Sequence, residues 1–169
     1  MGVIFDLDLT LVDTQLAQPL RDRRDWNNVY KLIPKMLPYD DVNNLIEFLN
    51  QNSVPIAIVT KAPKTYCQRI INQWNWKIDA IVCYHDVTKR KPHPESILMA
   101  IQLLNVKACD VVSIGDVGDD IIASKGAGVF SIGATWGCLD LQNLQSSNPD
   151  ITINSVSELK TFLKAKFNI

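Results

Sequence analysis

Residues 3–10 read VIFDLDLT, a short apolar run with two carboxylates directly after it. β-Branched and aromatic residues in a run of this length are typical of a buried strand. Similar runs recur along the chain, and stretches with a helical spacing of apolar residues separate them. This alternation predicts an α/β fold, a three-layer α/β/α Rossmann-like domain with a central parallel sheet.

The same patterns place the individual elements. Apolar residues repeat at helical spacing over 42–49 and over 97–104, which predicts crossover helices there. Ser155, followed by Glu158 three positions later, predicts the start of the last helix. The predicted strands cover residues 3–5, 55–59, 80–83, 111–114, 129–132 and 151–153.

The composition indicates one compact domain over residues 1–169, since 47% of the residues are hydrophobic. The net charge of -1 excludes a global field that would attract nucleic acid or an anionic membrane. No stretch approaches the roughly 20 apolar residues of a membrane span, and the start lacks a signal-peptide pattern. The four cysteines form no C-x-x-C pair, so we expect no zinc framework and a reduced, cytoplasmic setting.

The segment over residues 14–38 interrupts the alternation of strands and helices. Pro34 and Pro38 break it, and its residues 21–30 are basic and aromatic. We predict a short cap-like insert here. Mixed charges on one short helix usually mean a solvated face, so we expect residues 21–25 to face solvent rather than a polyanionic substrate.

Polar side chains that can do chemistry follow four of the predicted strands. In open parallel sheets, ligands bind beyond the carboxyl ends of the strands. His85 and His93 lie in predicted loops, and we assign neither a role. The residues at the four strand ends are Asp6, Asp8 and Thr10, then Thr60, then Lys91, and then Gly115, Asp116, Asp119 and Asp120.

The order of these residues, D-x-D-x-T, a threonine, a lysine and then G-D-x-x-x-D, resembles the four motifs of the haloacid dehalogenase superfamily. The resemblance covers residues 3–137. Pro92, Pro94 and the ATWG stretch at 134–137 point to its phosphoglycolate phosphatase-like branch. Four motifs in order at consecutive strand ends rarely coincide by chance. The resemblance implies a phosphatase that hydrolyses phosphomonoesters.

The resemblance also implies a Mg²⁺ cofactor and a role for each site residue. Asp6 is the nucleophile, which forms an aspartyl-phosphate, and Asp8 serves first as acid and then as base. Mg²⁺ prefers oxygen ligands, and cations offset the charge of the transferred phosphoryl group. The implied metal ligands are Asp6, the Asp8 backbone carbonyl and Asp116; Lys91 and Thr60 hold the phosphate, Asp120 supports the metal side, Thr10 orients the first loop and Gly115 permits a tight turn.

The chain departs from that branch in the size of its cap. Relatives usually carry a helical cap domain between the first two motifs, whereas only about fifty residues separate Thr10 from Thr60 here. A minimal cap leaves the site open, so the substrate could be a small phosphomonoester or a phosphate on a macromolecule. An open site disfavours a mutase, because water would reach the aspartyl-phosphate.

Two alternatives stay open at this point. The first is a phosphatase that acts on a nucleic-acid end or a phosphoprotein; for a nucleic acid, the Arg21 to Arg24 region and Trp26 would form the contact surface. The second is a non-catalytic phosphate-binding or interaction module, since one fold hosts many functions. The physiological substrate and the oligomeric state stay open as well.

Overall fold

The computed structural model describes residues 1–169 and contains one sheet of six parallel strands. The strands are β1 (Gly2–Phe5), β2 (Ile56–Val59), β3 (Ala80–Val82), β4 (Val111–Gly115), β5 (Phe130–Ala134) and β6 (Ile151–Ile153). They lie in the order β3-β2-β1-β4-β5-β6. The predicted α/β fold class is therefore confirmed, and each predicted strand is present with its ends shifted by at most two residues.

Burial on both faces of the sheet explains why its strands read as continuous apolar runs. Every residue of β1, β2 and β4 is buried. Successive side chains of a strand point to opposite faces. Val3 and Phe5 accordingly join one apolar cluster, whereas Ile4 joins the other. Such two-sided burial is typical of a parallel sheet covered by helices.

Helices cover both faces of this sheet. Those of one face pack into the larger apolar cluster, and α5 and α6 pack into the smaller one. None of the helices is long and apolar enough to span a membrane. The helices are α1 (Gln18–Asp22), α2 (Trp26–Leu32), α3 (Val42–Gln51), α4 (Lys64–Gln73), α5 (Glu95–Leu104), α6 (Gly118–Gly126), α7 (Leu141–Ser146) and α8 (Val156–Phe167).

The segment 14–38 contains α1 and α2, flanked by two short 3₁₀ turns. Its residues Val29, Ile33 and Met36 are buried and belong to the larger apolar cluster. The segment therefore packs directly on the core instead of forming an apolar core of its own.

The strand order creates a crevice beside β1. The chain passes from β1 outward through β2 to β3, and it then returns to β4 on the other side of β1. At such a reversal the two neighbouring connections leave in opposite directions, which opens a crevice at the carboxyl ends of the strands. Asp6 directly follows β1, so it lies at this crevice.

Ser155 offers a test of the helix start predicted from the sequence. Its Oγ accepts a hydrogen bond of 3.1 Å from the Glu158 backbone N–H, while the Glu158 carboxylate accepts from the Asn154 N–H. We expect Ser155→Ala to lower the free energy of unfolding by about 1 kcal/mol, measured by urea denaturation. Ser157→Ala, an exposed position on the same helix, should have almost no effect; equal losses in both variants would contradict this role.

Candidate functional site

Three carboxylates from two strand ends meet in the crevice. One oxygen each of Asp6, Asp116 and Asp120 lies within 4.8 Å of the others. Asp6 follows β1, Asp116 follows β4, and Asp120 lies in the first turn of α6. Strands β1 and β4 pair Phe5 with Ile114, so their ends coincide. Asp119, the neighbouring carboxylate, instead pairs with Lys61 at 2.9 Å near the surface.

Lys91 places a positive charge inside this carboxylate cluster. Its Nζ lies 2.6 Å from Asp6 Oδ1 and 2.5 Å from Asp120 Oδ1. The same nitrogen donates to the Val59 carbonyl oxygen at 2.9 Å. These three oxygens surround the ammonium group, which has three N–H donors. The Lys91 side chain is only 3% exposed, and its position is thereby fixed.

The three carboxylates still hold more negative charge than Lys91 offsets. Burial, together with the charges of Asp6 and Asp120, raises the pKa of Asp116 to about 8. Burial also raises the pKa of Asp6 and of Asp120, although the Lys91 charge opposes it. For Lys91, burial lowers the pKa, but the charges of Asp120 and Asp6 outweigh burial and raise it overall. The cluster therefore favours one more cation.

The ligand atoms available in the crevice suit a hard divalent cation. The cluster offers carboxylate oxygens and no sulfur or nitrogen ligand. Magnesium and calcium prefer such oxygen ligands. The Asp8 carbonyl oxygen accepts no backbone hydrogen bond, so it remains available as a further ligand. Asp6, Asp116 and the Asp8 carbonyl could thus hold a divalent metal, with Asp120 beside Lys91.

Two residues predicted to support the site contact the cluster directly. The Thr10 hydroxyl donates to Asp116 Oδ1 at 2.8 Å, and both residues are buried. Gly115, which the sequence predicts to permit a tight turn, is the last residue of β4. A Cβ atom at position 115 would lie 2.3 Å from Asp120 Cβ. Gly115 therefore makes room for the Asp120 side chain.

Thr60 lies at the end of β2 and is almost completely buried. Its Oγ1 accepts a hydrogen bond of 3.0 Å from the Ala62 backbone N–H. This contact orders the loop before α4, and it leaves the hydroxyl hydrogen free to donate. The geometry is therefore compatible with both a turn-forming role and a phosphate-binding role.

The Asp8 carboxylate is held by two residues outside the cluster, one in the segment 14–38 and one in α4. Arg21 donates to both of its oxygens, at 2.7 and 2.9 Å, and the Tyr66 hydroxyl donates to Oδ1 at 2.8 Å. The expectation that residues 21–25 all face solvent is wrong for Arg21, whose side chain is 18% exposed. Asp22, Arg23 and Arg24 are exposed as expected. The charge pattern of residues 21–25 does not show that Arg21 bonds Asp8 in the loop after β1.

Tyr66 is a site residue that the sequence did not reveal. It lies in α4 with its side chain fully buried, and its ring is 5.4 Å from the Arg21 guanidinium carbon. Burial and the nearby Asp8 charge raise the pKa of its phenol, so the hydroxyl keeps its proton and donates to Asp8. In the sequence, Tyr66 is an ordinary apolar position of an amphipathic helix.

The loop 134–137 packs against the first loop. Trp136 Nε1 donates to the Thr10 carbonyl oxygen at 2.9 Å, so Trp136 packs against the first loop. A Cβ atom at Gly137 would lie 1.9 Å from the Leu9 carbonyl oxygen. Leu9 itself has a positive φ of 64°, a conformation that costs energy for a residue with a side chain. The contact with Gly137 therefore supports an unfavourable loop conformation.

Substitution of Gly137 tests this support. We expect Gly137→Ala to lower the free energy of unfolding by about 1–3 kcal/mol, because the added methyl group collides with backbone rather than with a flexible side chain. Chemical denaturation measures the loss. Gly2→Ala is the matched control, since a Cβ there meets atoms only at 3.4 Å or beyond. A loss no larger than that of the control would contradict the contact.

The raised pKa of Asp116 predicts a pH dependence of stability for the metal-free protein. The unfolded chain releases this proton near pH 3.8, whereas the folded chain holds it to about 8. Between these values the folded state binds more protons, so the free energy of unfolding falls as the pH rises. We expect the melting temperature in chelator to fall from about pH 5 to about pH 8. Asp116→Asn should flatten this slope, and an unchanged slope would refute the assignment.

The chain is similar to known proteins both in its match to a family model and in its sequence. A family model described as haloacid dehalogenase-like hydrolase matches residues 18–134. The phosphoglycolate phosphatase of Vibrio parahaemolyticus is 31% identical over 124 residues, which are 72% of this chain and 54% of that protein. Pyrophosphatase PpaX of Bacillus mycoides is 28% identical over 127 residues, 74% of this chain and 59% of that protein. The chain thus spans little more than half the length of these curated relatives.

Solved structures share the fold of the chain. A protein from Thermotoga maritima superposes with a TM-score of 0.83 at 20% identity, covering 98% of this chain and 99% of that one. A β-phosphoglucomutase from Clostridium difficile gives a TM-score of 0.79 at 21% identity, covering 99% and 96%. Identities this low show the fold alone. The family model, however, matches well over half of the residues, and the chain belongs to the haloacid dehalogenase-like hydrolase family.

Proposed function

We propose that the protein is a Mg²⁺-dependent phosphatase that hydrolyses phosphomonoesters through an aspartyl-phosphate on Asp6. The observation that carries this proposal is the contact of Asp6 with the buried Lys91 beside two further buried carboxylates. A carboxylate fixed in this way can attack phosphorus, because the cations around it reduce its repulsion of the phosphate. Membership of the family and the names of the curated relatives support the same reaction.

The proposed reaction has two displacements. Asp6 attacks phosphorus, and the bond between phosphorus and the leaving oxygen breaks while Asp8 protonates that oxygen. Asp8 then takes a proton from a water molecule, which attacks phosphorus and frees Asp6 and inorganic phosphate. The Lys91 ammonium and the Thr60 hydroxyl would hold the phosphate oxygens during both displacements.

The metal proposed for this site is Mg²⁺, held by Asp6, Asp116 and the Asp8 carbonyl oxygen. When bound, it would offset the negative charge of the phosphoryl group. Asp120 would support the metal side indirectly, since it lies against Lys91 and helps to fix that cation. Thr10 would hold the Asp116 carboxylate in place through its hydroxyl hydrogen bond.

The substrate that we propose is a small phosphorylated compound. A cavity of about 310 Å³ lies between the segment 14–38 and the loops after β2 and β3, with Arg21, Trp26, Lys61 and Tyr84 in its wall. A space of this size suits a small leaving group. The nucleic-acid alternative loses support, because Arg21 engages Asp8 instead of extending a basic contact surface. One domain over 1–169 with a minimal cap at 14–38 and a cytoplasmic setting stay predictions.

Hydrolysis of para-nitrophenyl phosphate tests the proposed function without a choice of substrate. We expect turnover with Mg²⁺, loss of turnover in chelator, and recovery when Mg²⁺ is added back. Asp6→Asn should abolish turnover, because an amide cannot act as the nucleophile. Asp110→Asn changes an exposed aspartate near the other end of β4, and it should retain full activity.

The outcomes separate the proposed phosphatase from the non-catalytic module. Turnover that persists in the Asp6→Asn variant would contradict the nucleophile. Absence of turnover in folded, Mg²⁺-loaded protein, on this ester and on a panel of small phosphomonoesters, would favour the module. Turnover in chelator equal to that with Mg²⁺ would contradict the metal.

A further inference from the structure

Arg21 is hydrogen-bonded to the carboxylate of Asp8, which the proposed reaction needs beside the leaving group. Its two terminal nitrogens donate to the two oxygens of Asp8, so the guanidinium and the carboxylate form a bidentate pair. Asp8 Oδ1 also accepts from the Tyr66 hydroxyl. In this arrangement both Asp8 oxygens are engaged, and we expect Asp8 to give up at least part of the Arg21 fork in order to protonate a leaving oxygen.

Arg21 also lies in the wall of the cavity that we propose for the leaving group. Among the residues in the wall of that cavity, Arg21 is the one that bonds Asp8. Its other hydrogen bond, to Thr14 Oγ1, is longer at 3.2 Å. The guanidinium therefore contacts the proposed acid of the reaction and also lines the space proposed for the substrate.

Whether Arg21 can release Asp8 depends on the group that takes the place of the Asp8 carboxylate beside the guanidinium. A mostly buried guanidinium that loses its carboxylate is left with an uncompensated charge, which is strongly unfavourable. A neutral leaving group offers no replacement for the carboxylate. A carboxylate or phosphate on the leaving group can take the same planar fork with two hydrogen bonds.

We propose that Arg21 is a latch on Asp8 that an anionic group on the substrate opens, so that Arg21 selects leaving groups with a second negative charge. This inference rests on the phosphatase function proposed above. An anion in the cavity draws the Arg21 fork to itself, and Asp8 is then free to take up a proton from water and to give it to the leaving oxygen. Arg21 is in this sense a specificity-determining residue.

Two residues near Arg21, Tyr66 and Lys61, do not act as the latch. Tyr66 is fully buried and keeps its hydroxyl hydrogen, so it continues to orient Asp8 after Arg21 has moved. Lys61 lies in the wall of the cavity too, but its pair with Asp119 is half exposed. An exposed pair of this kind contributes little and opens without a substantial cost.

Two esters that differ in one charge test the latch. The probes are 4-carboxyphenyl phosphate and 4-carbamoylphenyl phosphate, which have leaving groups of similar size. We expect the wild-type kcat/KM to favour the carboxylate ester by roughly tenfold or more, the size of one charge-assisted hydrogen bond. Arg21→Gln should bring the ratio close to one and should raise kcat on the carbamoyl ester, because Asp8 is no longer held.

Control variants separate this role from a structural one. Arg23→Gln removes an exposed guanidinium from the same segment and should keep the wild-type ratio. Arg21→Lys keeps the charge without the fork, and it should give an intermediate ratio. Circular dichroism confirms that each variant is folded.

The outcomes are distinct for the two proposals. Wild-type turnover of both esters with an unchanged ratio in Arg21→Gln overturns the latch and leaves the phosphatase intact. An equal fall of kcat on both esters in that variant also overturns the latch, since it indicates support of Asp8 instead. Absence of wild-type turnover on both esters overturns the phosphatase and the latch together.

Discussion

A lysine ammonium enclosed by two carboxylates is the interaction on which the site depends. Lys91 lies between Asp6 and Asp120 with almost no access to water, so its charge has only these oxygens and one carbonyl as partners. Removal of one partner from such a group leaves a buried charge uncompensated, which costs several kcal/mol. The ends of β1, β2 and α6 are therefore tied together by electrostatics as well as by packing. Gly115 contributes by leaving the space that Asp120 needs.

Around this centre, contacts from distant parts of the chain fix the first loop. Thr10 bonds Asp116 from within the loop, and Trp136 and Gly137 pack on its backbone from the loop after β5. Such supporting contacts hold reacting groups within fractions of an ångström of their working positions. Asp8 differs from the other site residues because its partners lie in the segment 14–38 and in α4, which connects the proposed acid to the wall of the cavity.

The sequence predicted the features that local patterns record. Six apolar runs marked the six strands, and the polar residues after them marked the carboxyl edge where Asp6, Asp116 and Lys91 meet. Arg21 and Tyr66 were missed because their roles depend on contacts with Asp8, which lies 13 residues from Arg21 and 58 residues from Tyr66 in the sequence. Periodicity and charge patterns describe which face of an element is apolar, and they contain no information on which distant side chain a given arginine meets.

Direct detection of the phosphorylated nucleophile tests the central claim most sharply. The protein is mixed with Mg²⁺ and para-nitrophenyl phosphate, quenched in acid during turnover, digested and mapped by mass spectrometry. Asp8→Asn, which should slow the second displacement, increases the trapped fraction. We expect the mass of one phosphoryl group on the peptide that contains Asp6, and its loss at neutral pH. Continued turnover with no phosphoryl group on Asp6, or with the group on another residue, would contradict the account.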